Sequence, residues 1–305
     1  MPLPRSSQVA EIAALLRDAV TRLANAGVPS PDADAIALAA FTLGWEPGQV
    51  RTAAARGDHW PEDCDLDRWE SRLNRRADRE PLQHITGVAH FRGIDLEVGP
   101  GVFVPRPETE MVAQAAIDAA RAAKPGRDGL VHVTDLCAGS GAIGLSVASE
   151  VSHAHVALLE ASDEATVYLR LNTRAMPADV RARVRTILGD ARNCLRHFDS
   201  CADVVVTNPP YIPTSAIPRD AEVALHDPPE ALYGLGDDGL LIPRAIIDES
   251  ARLLRVGGTL IMEHGDEQGP ALRAYAESLE WWDDVETRQD LTGRDRMLVA
   301  RRVGV

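Results

Sequence analysis

The stretch from Val131 to Gly144 limits the fold more than any other. Apolar Val131, Val133 and Leu136 run past Asp135 into Cys137, Ala138, Gly139, Ser140, Gly141 and Ala142. An apolar run closed by two glycines one residue apart reads as strand, tight turn and helix. Glycines let the backbone approach a ligand closely, and the N-terminus of the following helix points N–H groups at it. Cys137 stands where the dinucleotide-binding fingerprint has its first glycine, so the turn is not that fingerprint. Further strands are predicted at His155–Glu160, Val184–Leu188, Asp203–Thr207, Thr259–Glu263, Asp284–Gln289 and Met297–Arg301, alternating with helices. That order predicts a mostly parallel sheet covered on both faces. The last two strands, joined by the turn Leu291 to Asp295, are expected to form an antiparallel edge pair.

Polar groups recur where these strands end. Glu160 closes the second strand, at the spacing where α/β nucleotide folds hold ribose hydroxyls. Gly189, Asp190 and Ala191 follow the third, and a carboxylate there suits an adenine amino group. Either acid alone equally reads as a solvated strand end. After Val204–Val206 comes Asn208, Pro209, Pro210 and Tyr211. The Asn208 side-chain carbonyl and the Pro209 carbonyl can both accept hydrogen bonds, and the prolines fix the backbone without adding donors. Such a mouth suits a planar amino group, and Tyr211 can stack on a flat amide or base. The plain alternative is a turn that merely ends a strand.

These residues resemble the class I S-adenosylmethionine-dependent methyltransferases, and within them the release factor glutamine N5-methyltransferases. The resemblance spans nearly the whole chain. It takes in Pro81 to Gly87, the segment Val104, Pro105, Arg106, Pro107, Glu108, Thr109 and Glu110, the glycine turn and the Asn208 turn. It continues through His226, Asp227, Pro228, Pro229, Glu230, Ala231 and Leu232 to Glu263, His264 and Gly265. The Pro105–Glu110 segment is the most specific to the subfamily, whereas the Asn208 turn is shared with enzymes that methylate adenine or guanine amino groups. Two departures stand out: Cys137 replaces a usual glycine, and Glu160 a more usual Asp.

The resemblance implies α/β architecture, with a Rossmann-like seven-stranded methyltransferase sheet and a small all-helical N-terminal domain joined to it by a β-hairpin. The expected divisions are 1–84 for substrate recognition, 85–104 for the hairpin and 105–305 for catalysis. It implies S-adenosylmethionine as cofactor, bound by Cys137, Ala138, Gly139, Ser140, Gly141, Glu160, Asp190, Ala191 and Asn208, with S-adenosylhomocysteine as product. It implies a catalytic turn of Asn208, Pro209, Pro210 and Tyr211. The implied reaction is methylation of the side-chain nitrogen of the glutamine in the Gly-Gly-Gln loop of a peptide chain release factor. A ribosomal-protein glutamine or a nucleic-acid base amino group is the alternative acceptor, and a non-catalytic binding module is the alternative of another class. The Arg106–Glu110 cluster either enters the pocket or forms the start of the following helix. His226 and Asp227 either enter the pocket or only shape a loop over the site, and His264 either carries a proton or ends a strand.

Charge bears on partners. The formal net charge is −14, which disfavours a protein whose affinity comes from neutralising phosphates. Cys64, Cys137, Cys194 and Cys201 form no CxxC pair, so neither a zinc site nor a disulfide framework is expected. Neither a secretory leader nor a membrane span is predicted, and a cytoplasmic monomer is the expectation. Val9, Ile12, Leu15, Leu16, Ala19 and Leu23 recur at helical period. Ser30 and Pro31 predict the cap and first turn of a second helix to Leu43, and a third is expected over Asp65–Arg79. Between Ile85 and Val104, short alternating runs with glycines predict a hairpin. Arg72, Arg75, Arg76 and Arg79 share one face of the third helix. Either they meet an acidic protein surface or RNA, or they form a solvated face paired with Glu70 and Glu80.

Overall fold

The computed structural model describes residues 10–126, 128–193, 196 and 198–304; Val9 and Cys194 lie outside them. The chain divides into two compact units. One holds the residues up to Gly87 together with Arg219–His226, and the other holds Val88–Pro218 and Asp227–Val305.

The N-terminal part of the first unit is helical: α1 (Ile12–Asn25), α2 (Pro31–Leu43), α3 (Pro47–Arg56), α4 (Leu66–Ala77) and α5 (Leu82–Thr86). Ile12, Leu23, Leu38, Trp69 and Leu73 are buried at its centre. Two of the five helices go beyond the three expected. Helix α3 buries only Val50 and Ala53, too few for an apolar stripe. Its ends define it instead: Gln49 Oε1 accepts from the Glu46 N–H at 2.8 Å, and Gly57 closes it in the left-handed conformation at φ 76°. Pro31 does occupy the first turn of α2, but the Ser30 side chain makes no cap hydrogen bond. Its ψ of 60° departs from the extended conformation in which a serine hydroxyl reaches back to the first turn.

The arginine stripe fits neither expectation as a whole: α4 ends at Ala77 and Arg79 lies beyond it in the left-handed conformation at φ 67°, so the four arginines do not share one helix face. Arg75 pairs with Glu80 as expected, whereas Glu70 pairs with Arg22 at 2.8 Å. Arg72 lies over the Phe41 ring, 4.3 Å from its centroid. Arg76 is buried, with Nε 2.7 Å from Asp34 and Nη2 2.8 Å from Glu222. Arg79 pairs with the same Glu222, the second residue of α10 (Ala221–His226). The stripe is therefore spent inside the unit, tying a distant short helix to the N-terminal bundle.

The second unit begins with a hairpin of β1 (Val88–Phe91) and β2 (Ile94–Glu97). Phe91 pairs with Ile94, leaving a two-residue loop, Arg92 and Gly93, at φ 47° and 78°. Positive φ at both positions matches the hairpin turn whose twist suits the strands. Arg92 is an unusual residue there, and its guanidinium is held by Glu150 at 2.9 Å and Gln114 at 2.8 Å.

Beyond α6 (Thr109–Ala122) the chain alternates β3 (Val131–Leu136), α7 (Ala142–Glu150), β4 (Ala154–Glu160), α8 (Asp163–Ala175), α9 (Ala178–Arg181), β5 (Val184–Leu188) and β6 (Ala202–Thr207). After α11 (Pro229–Leu232) and α12 (Leu241–Leu253) come β7 (Leu254–Glu263), α13 (Gly269–Glu277), β8 (Trp282–Gln289) and β9 (Asp295–Arg302). Seven strands form one sheet in the order β5-β4-β3-β6-β7-β9-β8. The first five run parallel and β9 is antiparallel to both neighbours. One core, containing Val133, Val156, Val206 and Ile261 with residues of α6 and α7, covers one face. The other, with Leu136, Leu159, Val205 and Met262 against α12 and α13, covers the opposite face. Both faces buried explains why these strands read as nearly continuous apolar runs.

Candidate active site

The chain lays β3, then β4 and β5 outward on one side, and returns to place β6 on the other side of β3. Strand order thus reverses between β3 and β6, and in open α/β sheets the crevice beyond the strand ends at that point receives ligands. Register puts the polar strand ends in one row. Leu136 pairs with Thr207 and with Leu159, and Thr207 pairs with Met262. The next residue of each strand is therefore Glu160, Cys137, Asn208 and Glu263, side by side across four neighbouring strands.

The turn after β3 is held on all sides. Ala138 N–H donates to the Leu159 carbonyl at 2.9 Å, Gly139 N–H to Glu160 Oε2 at 2.7 Å, and Asn172 Nδ2 to the Ser140 carbonyl at 2.9 Å. Its two glycines serve different ends. A Cβ on Gly139 would meet nothing within 4 Å, so the backbone there faces open space. A Cβ on Gly141 would lie 2.8 Å from Leu169 Cδ1 and 2.9 Å from Leu145 Cδ1, so that glycine seats the start of α7. Cys137 has φ 63°, the left-handed region where a side chain costs about 1 kcal/mol relative to glycine. The fit to an adenosyl cofactor is good: an open, glycine-walled backbone beside a helix N-terminus and a carboxylate.

Of the two acids expected at the site, Glu160 is the more directly placed. Besides Gly139, it accepts from Ser162 N–H at 2.8 Å, which aims the carboxylate across the turn. Asp190 lies after β5 with its carboxylate held by Arg192 at 2.6 Å, and Ala191 beside it is buried. Arg192 lowers the Asp190 pKa by hydrogen bonding, so the acid is ionised but already engaged.

Asn208 is half-buried, and Pro209 and Pro210 are buried. Three contacts fix the turn. Thr207 Oγ1 donates to the Leu136 carbonyl at 2.6 Å, Tyr211 N–H to the Leu232 carbonyl at 3.1 Å, and Gln268 Nε2 to the Tyr211 carbonyl at 2.8 Å. Burial pushes the Tyr211 hydroxyl pKa far up, so the ring stays neutral. Arg106 Nη2 lies 2.5 Å from Asp227 Oδ2 and its guanidinium is over the Phe103 ring, while Thr109 opens α6. The Pro105–Glu110 segment is thereby linked to the loop that carries Asp227, within the same unit. His264 is buried, its Nδ1 2.7 Å from the Gly265 carbonyl, and burial lowers its pKa, which suits a strand-end residue.

Two buried acids near the crevice escaped the sequence reading as site residues. Asp135 is fully buried; Oδ2 accepts from Gly144 N–H at 2.9 Å and Oδ1 has no partner. Desolvation pushes its pKa up to about 8. Glu263 is 3 % exposed, and only pairing with β6 brings it beside Asn208. Gly144 is the close-packed position behind Asp135: an added Cβ would lie 2.1 Å from Leu158 Cδ2 and 3.0 Å from Asp135 Oδ2. Gly144→Ala is expected to destabilise the second unit by about 1–3 kcal/mol, the usual cost of overpacking, read as a lower urea midpoint.

A parallel sheet ending in an antiparallel pair, a glycine turn after its first strand and an Asn-Pro-Pro-Tyr turn across the switch point define a Rossmann-like methyltransferase. The chain is 43% identical over 293 residues to the release factor glutamine methyltransferase of Bifidobacterium longum, covering 94% of this chain and 98% of that one. It is 43% identical to the enzyme of the same name from Streptomyces coelicolor, over 93% and 95% of the two chains. The chain belongs to the family of release factor glutamine methyltransferases. Residues 14–87 match the family described as PrmC N-terminal domain, and residues 84–226 that described as conserved hypothetical protein 95. A further relative, 36% identical over 95% of each chain, is a 4-amino-L-phenylalanine/4-methylamino-L-phenylalanine methyltransferase of Streptomyces pristinaespiralis.

Proposed function

We propose that this protein transfers a methyl group from S-adenosylmethionine to the side-chain amide nitrogen of the glutamine in the Gly-Gly-Gln loop of a peptide chain release factor. The observation that carries the reading is the placement of the Asn208 turn next to the open Gly139 turn, on adjacent strands at the point of order reversal. When bound, the cofactor supplies an electrophilic methyl group on a sulfonium. Gly139 would give its amino-acid part close approach to the backbone while Gly141 seats the helix behind it, Glu160 would accept from its ribose hydroxyls, and Asp190 and Ala191 would border its adenine.

The chain's own contribution to the reaction is positioning. A glutamine amide is a poor nucleophile because its nitrogen lone pair is delocalised into the carbonyl. The Asn208 side-chain oxygen and the Pro209 carbonyl offer two acceptors for the two amide protons, which draws both protons to one side and leaves the lone pair on the other. Tyr211 packs its ring on the amide plane, and Leu232 and Gln268 keep that ring in place through its backbone. Loss of the extra proton after transfer is easy, since an N-protonated amide is strongly acidic, so this geometry needs no strong base.

Glu160→Ala is expected to weaken S-adenosylmethionine binding by about 1–3 kcal/mol, the cost of leaving polar partners unpaired. Calorimetry showing unchanged affinity would remove the ribose contact. The substrate class is tested by offering labelled cofactor in parallel with a release factor, ribosomal protein, RNA and 4-aminophenylalanine. Label in the release factor alone supports the proposal. Preference for the arylamine would move this chain toward the activity of its Streptomyces pristinaespiralis relative, which also acts on a flat amino group.

A further inference from the structure

We propose that Glu263 is a positioning residue for methyl transfer: its carboxylate holds the side-chain nitrogen of Asn208, so that the Asn208 oxygen is the atom presented to the acceptor amide. The inference rests on the acceptor-binding role given to Asn208 above. An asparagine amide has a donor end and an acceptor end of nearly equal shape. Two acceptors are needed to take both protons of a glutamine NH2, and the turn meets that need only if Asn208 is oriented oxygen-outward. Nothing within the Asn-Pro-Pro-Tyr turn itself imposes that orientation, because the prolines have no N–H to offer the Asn208 oxygen and no side-chain acceptor for its nitrogen.

The neighbouring strand supplies what is missing. Thr207 pairs with Met262, which sets Glu263 level with Asn208 one strand away, about 4.8 Å in the sheet direction. Glu263 is 3 % exposed, and its Oε2 carries no formed hydrogen bond. Such an orphaned carboxylate oxygen is rare in a folded interior. Its surroundings are mixed. The Thr109 hydroxyl, Arg296 from β9 and the Asn208 amide favour the ionised form, and Glu108 at the start of α6 opposes it. Tyr211 also lies within its field, and Arg296 is itself shared with Asp290 at 3.0 Å. Desolvation outweighs the favourable partners and pushes the Glu263 pKa up to about 7. The acid therefore changes state in the working range of an enzyme, beside the residue that sorts the donors and acceptors of the site.

The two states have opposite consequences. As a carboxylate, Glu263 only accepts, so Asn208 must turn its nitrogen toward it and its oxygen toward the crevice. As a carboxylic acid, Glu263 can donate to the Asn208 oxygen and stabilise the reversed amide, which meets the acceptor amide with donor against donor. Hydrogen bonds of this kind are often long before the substrate arrives and close in the complex, which agrees with a buried Oε2 that has no formed bond in a carboxyl on which the Asn208 side chain acts.

The test compares wild type, Glu263→Gln and Asn208→Ala across pH 5.5 to about 9 with a release factor as acceptor, measuring kcat, KM and cofactor affinity separately. In the wild type, kcat is expected to rise through an inflection near pH 7 while cofactor affinity stays level. Glutamine does not titrate and can adopt either amide orientation, so Glu263→Gln is expected to lose the inflection and about 10- to 100-fold in kcat, with cofactor affinity intact. An inflection that persists in Glu263→Gln, as titration of His264 or of the substrate would produce, overturns the inference. So does a variant that keeps wild-type kcat. A variant that loses cofactor affinity and kcat together would show a structural role and also overturn it. Full activity in Asn208→Ala would instead sink the underlying reading of the Asn208 turn, a result that the Glu263 series alone does not produce. The wild-type profile stands as an independent check should Glu263→Gln fold poorly, since a flat profile excludes the proposal.

Discussion

Asn208→Ala is expected to lower kcat for methyl transfer about 10²- to 10³-fold, or further, and to leave S-adenosylmethionine affinity close to wild type. The magnitude is that of removing one preorganised hydrogen-bonding group from a reacting centre, about 2.7–4 kcal/mol. The separation of the two effects follows from the site. Asn208 follows the end of β6, whereas the glycine turn and Glu160 belong to the ends of β3 and β4 and are braced by their own hydrogen bonds. Truncating Asn208 leaves the Thr207 and Tyr211 contacts in place, so the turn keeps its path and loses one acceptor. Single-turnover measurements with saturating cofactor read the first effect and calorimetry the second. Equal losses in both would mean that Asn208 serves the cofactor and not the acceptor.

Arg76→Ala is expected to cost about 3–5 kcal/mol in the helical unit, the penalty for removing one partner from a buried ionic cluster. Arg76 serves Asp34, Glu222 and the Glu80 carbonyl, at 2.7, 2.8 and 3.0 Å, with its side chain 6% exposed. Without it Asp34 is left buried without its guanidinium, and Glu222 keeps only Arg79. Urea denaturation followed by tryptophan fluorescence reports on this unit through Trp60 and Trp69, which pack together in its core, alongside Trp281 and Trp282 of the other unit. The same cluster sets an acid limit. Burial raises the Glu222 pKa, but hydrogen bonds from Arg79 and Arg76 outweigh it and hold the acid at about 2. A carboxylate depressed in the folded state adds stability that is complete above its ordinary value and lost as pH falls toward the folded value. Wild-type stability should therefore decline between about pH 4.5 and about pH 2 through Glu222, and Arg76→Ala should show a smaller decline over that window.

What could be read in the sequence was local. The glycine turn and the Asn208 turn declare themselves because each is a short run whose chemistry is fixed by adjacent residues, and the strands because burial on both faces leaves uninterrupted apolar runs. The antiparallel pair β8 and β9 was equally visible, through the turn that joins it; only β8 lies at the edge, since β9 pairs with β7 as well. What escaped was nonlocal. Glu263 reads as the last polar residue of a strand until the Thr207–Met262 pairing sets it beside Asn208. The arginines of α4 read as a surface because Glu222, the partner of Arg76, lies 146 residues further on. Helix α3 was missed for a third reason: it is specified by its ends and buries only two small or medium side chains.

The central claim is tested most directly by mass spectrometry of a purified release factor incubated with this protein and S-adenosylmethionine, with peptide mapping of any added methyl group. The expected result is one methyl group on the glutamine of the Gly-Gly-Gln loop, lost when Asn208→Ala replaces the wild type. An unmodified loop glutamine in a reaction where the protein binds S-adenosylmethionine would contradict it.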